Sequence, residues 1–354
     1  MTPLERLIAA RIRAGGAMRL DEYMQICLLH PQHGYYATRD PFGAAGDFTT
    51  APEISQMFGE MVGLALAQAW LDQGAPAPFT LAEIGPGRGT LMADILRAIR
   101  IVPGMADAAQ VTLIEASAHL RGVQRDRLGH GIRHLDTVAD LPEQPLFLVA
   151  NEFFDALPIR QFQRMPQGWA ERIIALDDAG RLTMGLAAPE PARDAAPMGL
   201  IRESCPAAAP IAATIAGLIA RQGGAAIFID YGGWDGSGDT FQALRRHRPE
   251  DPLGHPGEAD LTAHVDFAPL ARAAMAAGAR ASRLLEQGAW LLSLGIVERA
   301  RRLQAAGDKQ AGPALHRLTD AGEMGQLFKV LALWSPGAPA VPGFTTLEAH
   351  ADDA

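Results

Sequence analysis

The chain of 354 residues is poor in cysteine, in long apolar runs and in clustered positive charge. Two isolated cysteines, Cys27 and Cys205, make neither a disulfide framework nor a zinc site, and they favour a reducing compartment. No apolar run reaches the roughly 18 residues that a membrane-spanning helix needs, so we expect no membrane insertion. The net charge of −9 and the lack of a basic block argue against a nucleic-acid partner and suit a cationic substrate better.

The N-terminal segment, residues 1–16, is amphipathic and contains arginine, as a mitochondrial transit peptide would. However, Thr2 and Glu5 have the spacing of a capping box, with Pro3 at the first helical position. This pattern favours a helix of the mature protein. We therefore expect a cytoplasmic, bacterial-type chain, and the mitochondrial matrix only if the segment proves to be a transit peptide.

A strand, a glycine-rich turn and a helix are predicted for residues 79–99. An apolar run ends at Gly85, Gly87 and Gly89, and apolar residues at helical spacing follow. Such a turn lets a ligand lie against bare backbone, and the helix N-terminus behind it offers unpaired N–H groups and a positive dipole end. A tight turn without a ligand is the alternative.

Two neighbours of these glycines narrow the choice of ligand. Thr90 stands where a dinucleotide-binding fingerprint has its third Gly or Ala. Glu83 lies two residues before Gly85 and completes the pattern E-x-G-x-G-x-G. This pattern resembles motif I of the class I S-adenosylmethionine (SAM) methyltransferases, in which the acidic residue faces the amino-acid end of the cofactor.

Strand-like and helix-like segments alternate along most of the chain, which predicts a parallel, doubly wound sheet. Further strands are predicted at 111–114, 132–135, 145–150, 224–230, 282–286 and 328–334, and helices at 52–70, 118–128, 211–221, 266–278 and 290–304. Residues 159–186 alternate around turns instead, which predicts antiparallel hairpins, and residues 187–208 form a Pro/Ala-rich connection.

Acidic residues follow two of the predicted strands. Glu115 ends the strand 111–114, where a carboxylate can accept hydrogen bonds from both ribose hydroxyls of a nucleoside. A strand-end acid without a ligand is the alternative. Asp136 follows the strand 132–135, in the neighbourhood where an adenine amino group is often bound.

The segment NEFFDALP, residues 151–158, directly follows the apolar strand PLFLVA. In an open parallel sheet, ligands bind beyond the carboxyl ends of the strands, near the point where the strand order reverses. This strand and the glycine-rich strand should flank that point. We therefore expect Asn151, Glu152 and Asp155 at the reactive end of the cofactor, with Phe153 in the pocket wall. A strand-end turn with two solvated acids is the alternative.

Residues 30–60 are polar and rich in glycine and proline, yet dense in His, Tyr, Asp, Thr and Glu. Loops of this composition often carry function. With Gly43 and Gly46 as flexible points, we predict that residues 43–56 form a lid that orders over the bound cofactor and shapes the acceptor entrance. An ordered arm with turn residues is the alternative.

Six segments together resemble one family. They are GDFTTAPEISQMFGE (46–60), LAEIGPGRGTL (81–91), VTLIEAS (111–117), NEFFDALP (151–158), IFIDYG (227–232) and LTAHVDF (261–267). Over nearly its whole length the chain is similar to the MidA-like family of class I SAM-dependent methyltransferases, which includes a mitochondrial complex I assembly protein that methylates an arginine. The first and fourth segments are far more specific to this family than the glycine-rich motif.

The resemblance implies an α/β fold, with a Rossmann-like class I methyltransferase sheet, an N-terminal helical arm and an inserted β-hairpin/helical subdomain. We expect the arm and lid in residues 1–75, and the SAM-binding core in 76–160 and 223–335. The inserted subdomain would cover 161–222, and a tail 336–354.

The motifs and the resemblance together single out candidate site residues, with SAM as the cofactor and no metal. The cofactor-binding candidates are Glu83, Gly85, Pro86, Gly87, Gly89, Glu115 and Asp136. The catalytic candidates are Glu152, Asp155, Asn151 and Glu53. The substrate or lid candidates are Asp47, Phe48, Thr50, Phe153, Asp230 and His264, the last of which could instead be a core histidine.

The implied activity is methylation of an arginine side chain in a protein such as a respiratory complex I subunit. An arginine guanidinium stays protonated at neutral pH, so carboxylates would hold it by charge-assisted bonds and accept its proton as the C–N bond forms. A non-catalytic SAM-binding assembly factor is a second hypothesis. A nucleotide-dependent oxidoreductase is a third, against which Thr90 and the segment NEFFDALP argue. The oligomeric state is open.

Overall fold

The fold is taken from a computed structural model, which describes residues 1–38 and 50–348. These residues form two compact units. Unit 1 comprises residues 1–38, 155–208 and 233–266. Unit 2 comprises residues 50–154, 209–232 and 267–348.

Helices and strands alternate through most of the described chain. The helices are α1 (Pro3–Gly15), α2 (Leu20–Leu29), α3 (Tyr35–Thr38), α4 (Ala51–Ile54), α5 (Gln56–Asp72), α6 (Thr90–Ile99), α7 (Met105–Ala108), α8 (Ala118–Leu128), α9 (Ala208–Gln222), α10 (Phe267–Ala276), α11 (Gln287–Ser293), α12 (Ile296–Ala305), α13 (Ala311–Thr319) and α14 (Met324–Leu327). The strands are β1 (Met18–Arg19), β2 (Phe79–Ile84), β3 (Ala109–Ile114), β4 (Arg133–Leu135), β5 (Leu146–Asn151), β6 (Arg160–Met165), β7 (Gly168–Leu176), β8 (Leu182–Leu186), β9 (Ile201–Ser204), β10 (Gly224–Gly233), β11 (Gln242–Arg245), β12 (Arg248–Glu250), β13 (Asp260–Thr262), β14 (Val265–Asp266), β15 (Arg280–Ala281), β16 (Leu285–Glu286) and β17 (Phe328–Trp334).

Unit 2 is built on a mixed sheet with the strand order β15-β17-β10-β5-β2-β3-β4. The five strands from β10 to β4 run parallel, whereas β17 is antiparallel to β10 and pairs on its other side with β15 and β16. All positions of β2 and β5 are buried, which is expected for parallel strands covered on both faces. The chain proceeds outward from β2 through β3 to β4 and then returns to β5 on the other side. The strand order therefore reverses between β2 and β5.

Helices α5 and α6 of unit 2 pack closely against each other because α5 carries two glycines in the contact. A Cβ at Gly59 would lie 2.5 Å from Cβ of Asp94, and one at Gly63 would lie 3.0 Å from Cα of Ile95. Met57 and many other residues of these helices belong to the apolar core that also contains residues of β2 and β5. The close packing holds α6, the helix that follows the glycine-rich turn, against the sheet.

Unit 1 has its own apolar core and two small sheets. In one sheet the strands are ordered β1-β7-β6-β9, with β8 paired to β7, and in the other the order is β12-β11-β13. Leu4, Ile8 and Tyr23 from the N-terminal helices pack in this core with residues of β7 and β13. Thr2 and Glu5 form the predicted capping box, because the N–H of each residue donates to the side chain of the other, at 3.1 Å and 3.0 Å.

Two helices predicted from the sequence are interrupted. The predicted helix at 52–70 is divided into α4 and α5, because Ser55 is extended (φ −163°, ψ 141°) and its hydroxyl accepts the N–H of Met57 at 3.2 Å. The predicted helix at 290–304 is divided by Gly295, which has a φ of 87°. Both predictions of one continuous helix were wrong, because the apolar spacing continues through the breaks.

Several strands lie where no strand was predicted. β9 falls in the connection 187–208, and β11, β12 and β13 fall in the Gly- and Pro-rich segment that follows β10. By their contacts, residues 50–72 and 209–222 belong to unit 2, and residues 233–266 belong to unit 1. This division therefore differs from the expected boundaries. The contacts that define the two units join residues that are far apart in the sequence. None of the described helices is long and apolar enough to cross a membrane.

Candidate active site

The carboxyl ends of four neighbouring parallel strands lie together at one edge of the sheet in unit 2. Ile84 of β2 is paired with Ile114 of β3 and Ala150 of β5. On the far side of β5, Ile229 of β10 is paired with Asn151. The residues that directly follow these strands therefore meet at the edge where the strand order reverses. Ligand sites of open α/β sheets lie at this position.

The glycine-rich turn after β2 has a backbone that only glycine adopts easily. Gly85, Gly87 and Gly89 have φ values of 63°, 51° and 75°, in the left-handed region. The N–H of Gly89 donates to the carbonyl of Pro86 at 2.7 Å, which closes the turn. Gly89 is also the N-cap residue of α6 and has no side chain to cap this helix. The N-terminus of α6, where N–H groups lack partners within the helix, therefore adjoins the turn.

Glu83 is an acid buried at the end of β2, with 3% of its surface exposed. Its Oε2 has no hydrogen-bond partner among residues 1–38 and 50–348. The pKa of Glu83 is raised to about 8, mainly by burial; a hydrogen bond from the backbone of Met92 lowers it, and the nearby carboxylates of Glu115 and Asp94 raise it. A cation bound beside Glu83 would favour its ionised form.

Glu115 is held at the end of β3 by two donors. Its Oε1 accepts the N–H of Ser117 at 2.7 Å, and its Oε2 accepts Nε2 of Gln124 at 3.2 Å. The same Nε2 donates to the carbonyl of Gly87 at 2.7 Å. Burial, the largest effect, raises the pKa of Glu115. Gln124 thus links the acid after β3 to the glycine-rich turn, a role that sequence analysis missed because no local signal marks a glutamine on α8.

Glu152, directly after β5, has a left-handed backbone with a φ of 52°. A residue other than glycine in this region is strained, and such strain is often found at functional sites. Its Oε1 accepts the N–H of Ala51 at 3.1 Å and Nδ2 of Asn151 at 2.9 Å. Oδ1 of Asn151 is buried and has no hydrogen-bond partner in the described part of the chain. The loop therefore combines an oriented carboxylate with an amide oxygen that can still accept a hydrogen bond.

Asp230 is fully buried at the end of the parallel pairing of β10. Its Oδ2 accepts the N–H groups of Phe153 and Phe154, at 3.1 Å and 3.0 Å, and its Oδ1 accepts the N–H of Tyr231 at 3.1 Å. The rings of Phe153 and Phe154 pack edge to face, with centroids 5.2 Å apart. Asp230 thus fixes the loop after β5 through its backbone. The sequence had suggested a substrate or lid role for this residue.

Three other predicted residues also lie in unit 2. The side chain of Asp136 is 83% exposed and forms an ion pair with Arg121. Glu53 accepts a hydrogen bond from the hydroxyl of Thr90 at 2.6 Å. Thr50 is buried and is the N-cap residue of α4. Glu53 therefore contacts the first residue of α6.

Asp155 and His264 belong to unit 1. Asp155 is buried, and its carbonyl accepts the N–H of Ala263 at 3.0 Å. His264 is exposed, so it is not a core histidine. Its N–H donates to the hydroxyl of Thr240 at 2.8 Å. Desolvation lowers the pKa of His264, and the carboxylate of Glu203 opposes this effect.

Half of the predicted lid, residues 43–49, lies outside the described residues. Asp47 and Phe48 fall in the segment 39–49, which the structure does not describe. Within the described ranges, no group of three or more His, Cys, Asp or Glu residues is arranged to hold a metal ion.

The residues at the edge of unit 2 fit a ligand with a cationic end and ribose hydroxyls. The buried acid Glu83 and the open Oδ1 of Asn151 are suited to accept hydrogen bonds from an ammonium group, and the carboxylate of Glu115 is suited to accept them from hydroxyls. Gly85, at the start of the glycine-rich turn, is exposed and offers bare backbone to the ligand. SAM has both groups, and when bound it supplies a methyl group activated on a sulfonium. Fold and site together are those of a class I SAM-dependent methyltransferase.

The chain belongs to the family described as "Putative S-adenosyl-L-methionine-dependent methyltransferase", whose model matches residues 61–285. The "Protein arginine methyltransferase NDUFAF7, mitochondrial" of Xenopus tropicalis is 34% identical over 385 residues, which cover 96% of this chain and 89% of that one. The protein of the same name from Homo sapiens is 35% identical over 374 residues, which cover 94% and 83%.

A solved structure from Burkholderia thailandensis, bound to S-adenosyl-homocysteine (SAH), is 31% identical to this chain. It superposes with a TM-score of 0.83 over 96% of this chain and 93% of that one. The resemblance, the fold class and the cofactor expected from the motifs are therefore confirmed. The protein is a SAM-dependent methyltransferase.

Proposed function

We propose that the protein transfers the methyl group of SAM to an arginine side chain of another protein. The observation that carries the proposal is the oriented carboxylate of Glu152, which the N–H of Ala51 and the amide of Asn151 hold at the ligand edge. A carboxylate in this position is suited to bind a guanidinium. The relatives from Xenopus tropicalis and Homo sapiens, both named protein arginine methyltransferases, support the same acceptor.

Methyl transfer from a sulfonium is an in-line displacement, so much of the rate depends on how the acceptor is oriented. The acceptor guanidinium is protonated near neutral pH. In our proposal Glu152 holds this cation by charge-assisted hydrogen bonds and takes one of its protons as the new C–N bond forms. Asn151 contacts the amino-acid part of the cofactor or the acceptor nitrogen. Asp155 and Glu53 are the alternative bases.

We also propose a respiratory complex I subunit as the acceptor protein and the cytoplasm of a bacterium as the location. The acceptor is inferred from the resemblance to a family that includes a complex I assembly protein. The location is inferred from the bacterial-type chain, although the curated relatives are named as mitochondrial. Cell fractionation tests the location, because the protein should be found in the soluble fraction of the bacterial cytoplasm. If the chain begins with a transit peptide, it should be found in the mitochondrial matrix instead.

The acceptor is tested by incubating the purified protein with methyl-labelled SAM and an extract of cells that lack it. We expect the label in one protein, and mass spectrometry should place it on an arginine. An extract from cells that contain the protein is the control, since its acceptor is already methylated.

Two results would contradict the proposal. Label on another residue type or on a small molecule would show a methyltransferase with a different acceptor. Tight SAH binding with no transfer to any component of the extract would favour the non-catalytic assembly factor.

A further inference from the structure

The short helix α4 contacts both loops of the candidate site in unit 2. It has four residues and follows Thr50, whose side chain makes no cap bond among the described residues, and it ends at the extended Ser55. A helix of one turn is not stable by itself, so its position depends on its contacts. Ala51 and Pro52 are buried and anchor the helix.

The first contact joins α4 to the glycine-rich turn. The hydroxyl of Thr90 donates to Oε1 of Glu53 at 2.6 Å. The guanidinium of Arg127 donates to the same hydroxyl oxygen, so the proton of the hydroxyl is directed to Glu53. Thr90 is the first residue of α6, and the N-cap residue Gly89 has no side chain to cap the helix. The carboxylate of Glu53 also interacts favourably with the positive end of the α6 dipole.

The second contact joins α4 to the acid after β5. The N–H of Ala51 donates to Oε1 of Glu152 at 3.1 Å, two residues before Glu53 in the chain. The backbone of Glu152 is in turn held by its own N–H, which donates to the carbonyl of Ile229 at 2.9 Å. One turn of helix thus contacts the residue that directly follows the cofactor turn through a side chain and the acidic loop through its backbone.

We propose that Glu53 is a positioning residue for the cofactor turn and acts through the hydroxyl of Thr90. Its carboxylate holds the first turn of α6, and with it the glycine-rich turn, in the conformation that binds SAM. The sequence suggested a catalytic role for Glu53, and the test below separates that role from positioning. The inference concerns the binding of SAM and does not depend on which acceptor is methylated. Failure to methylate arginine would therefore leave it unaffected.

The test compares variants that remove the hydrogen bond with variants that keep it. Glu53→Ala and Thr90→Val remove it, whereas Glu53→Gln keeps an acceptor oxygen and Thr90→Ser keeps the hydroxyl. We expect each removing variant to weaken SAH binding in calorimetry about fivefold to tenfold, the effect of one hydrogen bond of ordinary strength. The two conservative variants should stay within about twofold of the wild type.

A double variant and a measurement without ligand complete the test. Because Glu53→Ala and Thr90→Val share the Glu53–Thr90 bond, the double variant should bind SAH about as well as Thr90→Val, which also loses the bond from Arg127. In the SAH-free protein, each of the two single variants should speed amide hydrogen exchange in residues 85–92. Thr214→Val is the matched control. It removes a hydroxyl bond to the carbonyl of Pro210 within α9 and should change neither quantity.

The proposal is wrong if Glu53 acts in the reaction itself. In that case Glu53→Gln would lose methyl transfer as fully as Glu53→Ala, while SAH affinity and amide exchange stayed at the wild-type level. It is also wrong if the effects of Glu53→Ala and Thr90→Val on SAH affinity multiply in the double variant. Should Glu53→Ala fail to fold, the comparison of Thr90→Val with Thr90→Ser decides between these outcomes.

Discussion

At the scale of single residues, one substitution can remove the charge of Glu152 and keep the shape of its side chain. Glu152→Gln keeps an oxygen that can accept from Ala51 and Asn151 but removes the charge that would hold and deprotonate a guanidinium. We expect a loss of about 2–4 kcal/mol in the transition state, which lowers kcat on the order of 30- to 1,000-fold. SAH affinity should hardly change, because our cofactor ligands are Glu83, Asn151, Glu115 and the glycine-rich turn, and Glu152→Gln keeps an acceptor for the amide of Asn151.

Rate measurements with labelled SAM and calorimetry with SAH check this expectation together. Loss of SAH binding in Glu152→Gln would make Glu152 a cofactor ligand and remove the main support for an arginine acceptor. Full methyl transfer would place the base elsewhere, with Asp155 the next residue to test.

Glu83 gives the site a defined dependence on pH. Its pKa in the folded protein is about 8 because of burial, whereas an unfolded glutamate titrates near about 4.3. Between these two values the folded state binds more protons than the unfolded state. The contribution of Glu83 to stability is therefore present at low pH and is lost as the pH rises towards about 8.

The ammonium group of SAH should favour the ionised form of Glu83, so binding should release a proton. Calorimetry near neutral pH in buffers of different ionisation enthalpy should show the release of about one proton. Glu83→Gln should bind SAH more weakly, release no proton and make the melting temperature of the SAH-free protein depend less on pH. An unchanged proton release in Glu83→Gln would assign the titration to another group, with Glu115 the first to test.

Valine substitutions at Gly87 and Gly104 distinguish the loss of space for the ligand from the effect of backbone strain. Both glycines are left-handed, with φ values of 51° and 78°, so valine at either position should destabilise the fold by about 1–2 kcal/mol. Gly87→Val would also fill space that the ligand needs and should abolish SAH binding. A Cβ at Gly104 has no atom within 4 Å, so Gly104→Val should bind SAH normally. Thermal unfolding and calorimetry measure the two effects, and equal loss of binding in both variants would refute the ligand contact.

At the scale of elements, Asp230 of β10 holds the loop that follows β5. Asp230→Asn would place an amide N–H against at least one of the backbone N–H groups of Phe153, Phe154 and Tyr231. We expect a loss of stability of about 1–3 kcal/mol and a lower rate of methyl transfer, since the loop carries Glu152. Asp235→Asn is the matched control, because Asp235 is exposed and only its Oδ1 accepts the N–H of Ser237. If Asp230→Asn unfolds at the wild-type temperature, the loop does not depend on this residue.

The elements that could be predicted are those with a strong local pattern. β2, β5 and β17 are mostly apolar, and α8 has a serine cap, so their bounds were found within about two residues. β9 is only four residues long, with alternate residues half-buried or exposed, and has no such run. It exists because β6 supplies its hydrogen bonds. Short strands of this kind depend on a distant partner and leave little local signal.

At the scale of the whole molecule, the net charge of −9 should favour a cationic acceptor. We expect kcat/KM for an arginine peptide with flanking lysines to fall severalfold as salt is raised to about 0.3 M, because salt screens long-range attraction. A peptide with the same arginine and neutral flanks is the control and should respond less. Equal responses of the two peptides would show that the net charge does not guide the acceptor.

The sequence by itself determined the strands of the parallel sheet, the glycine-rich turn and the acids that follow the strands. These features are local, because a buried parallel strand needs an apolar run and a left-handed turn needs glycine. It follows that Glu83, Glu115, Asn151 and Glu152 could be assigned to one edge before any contact was known.

Only the tertiary structure decided which partners these residues have. The bonds from Gln124 to Glu115 and Gly87, from Thr90 to Glu53, and from Ala51 to Glu152 join residues 9 to 101 positions apart. The burial that raises the pKa of Glu83 to about 8 likewise depends on elements distant in the chain. Hydrogen bonds and desolvation act over a few ångströms in space, so a pattern of neighbouring residues does not encode them.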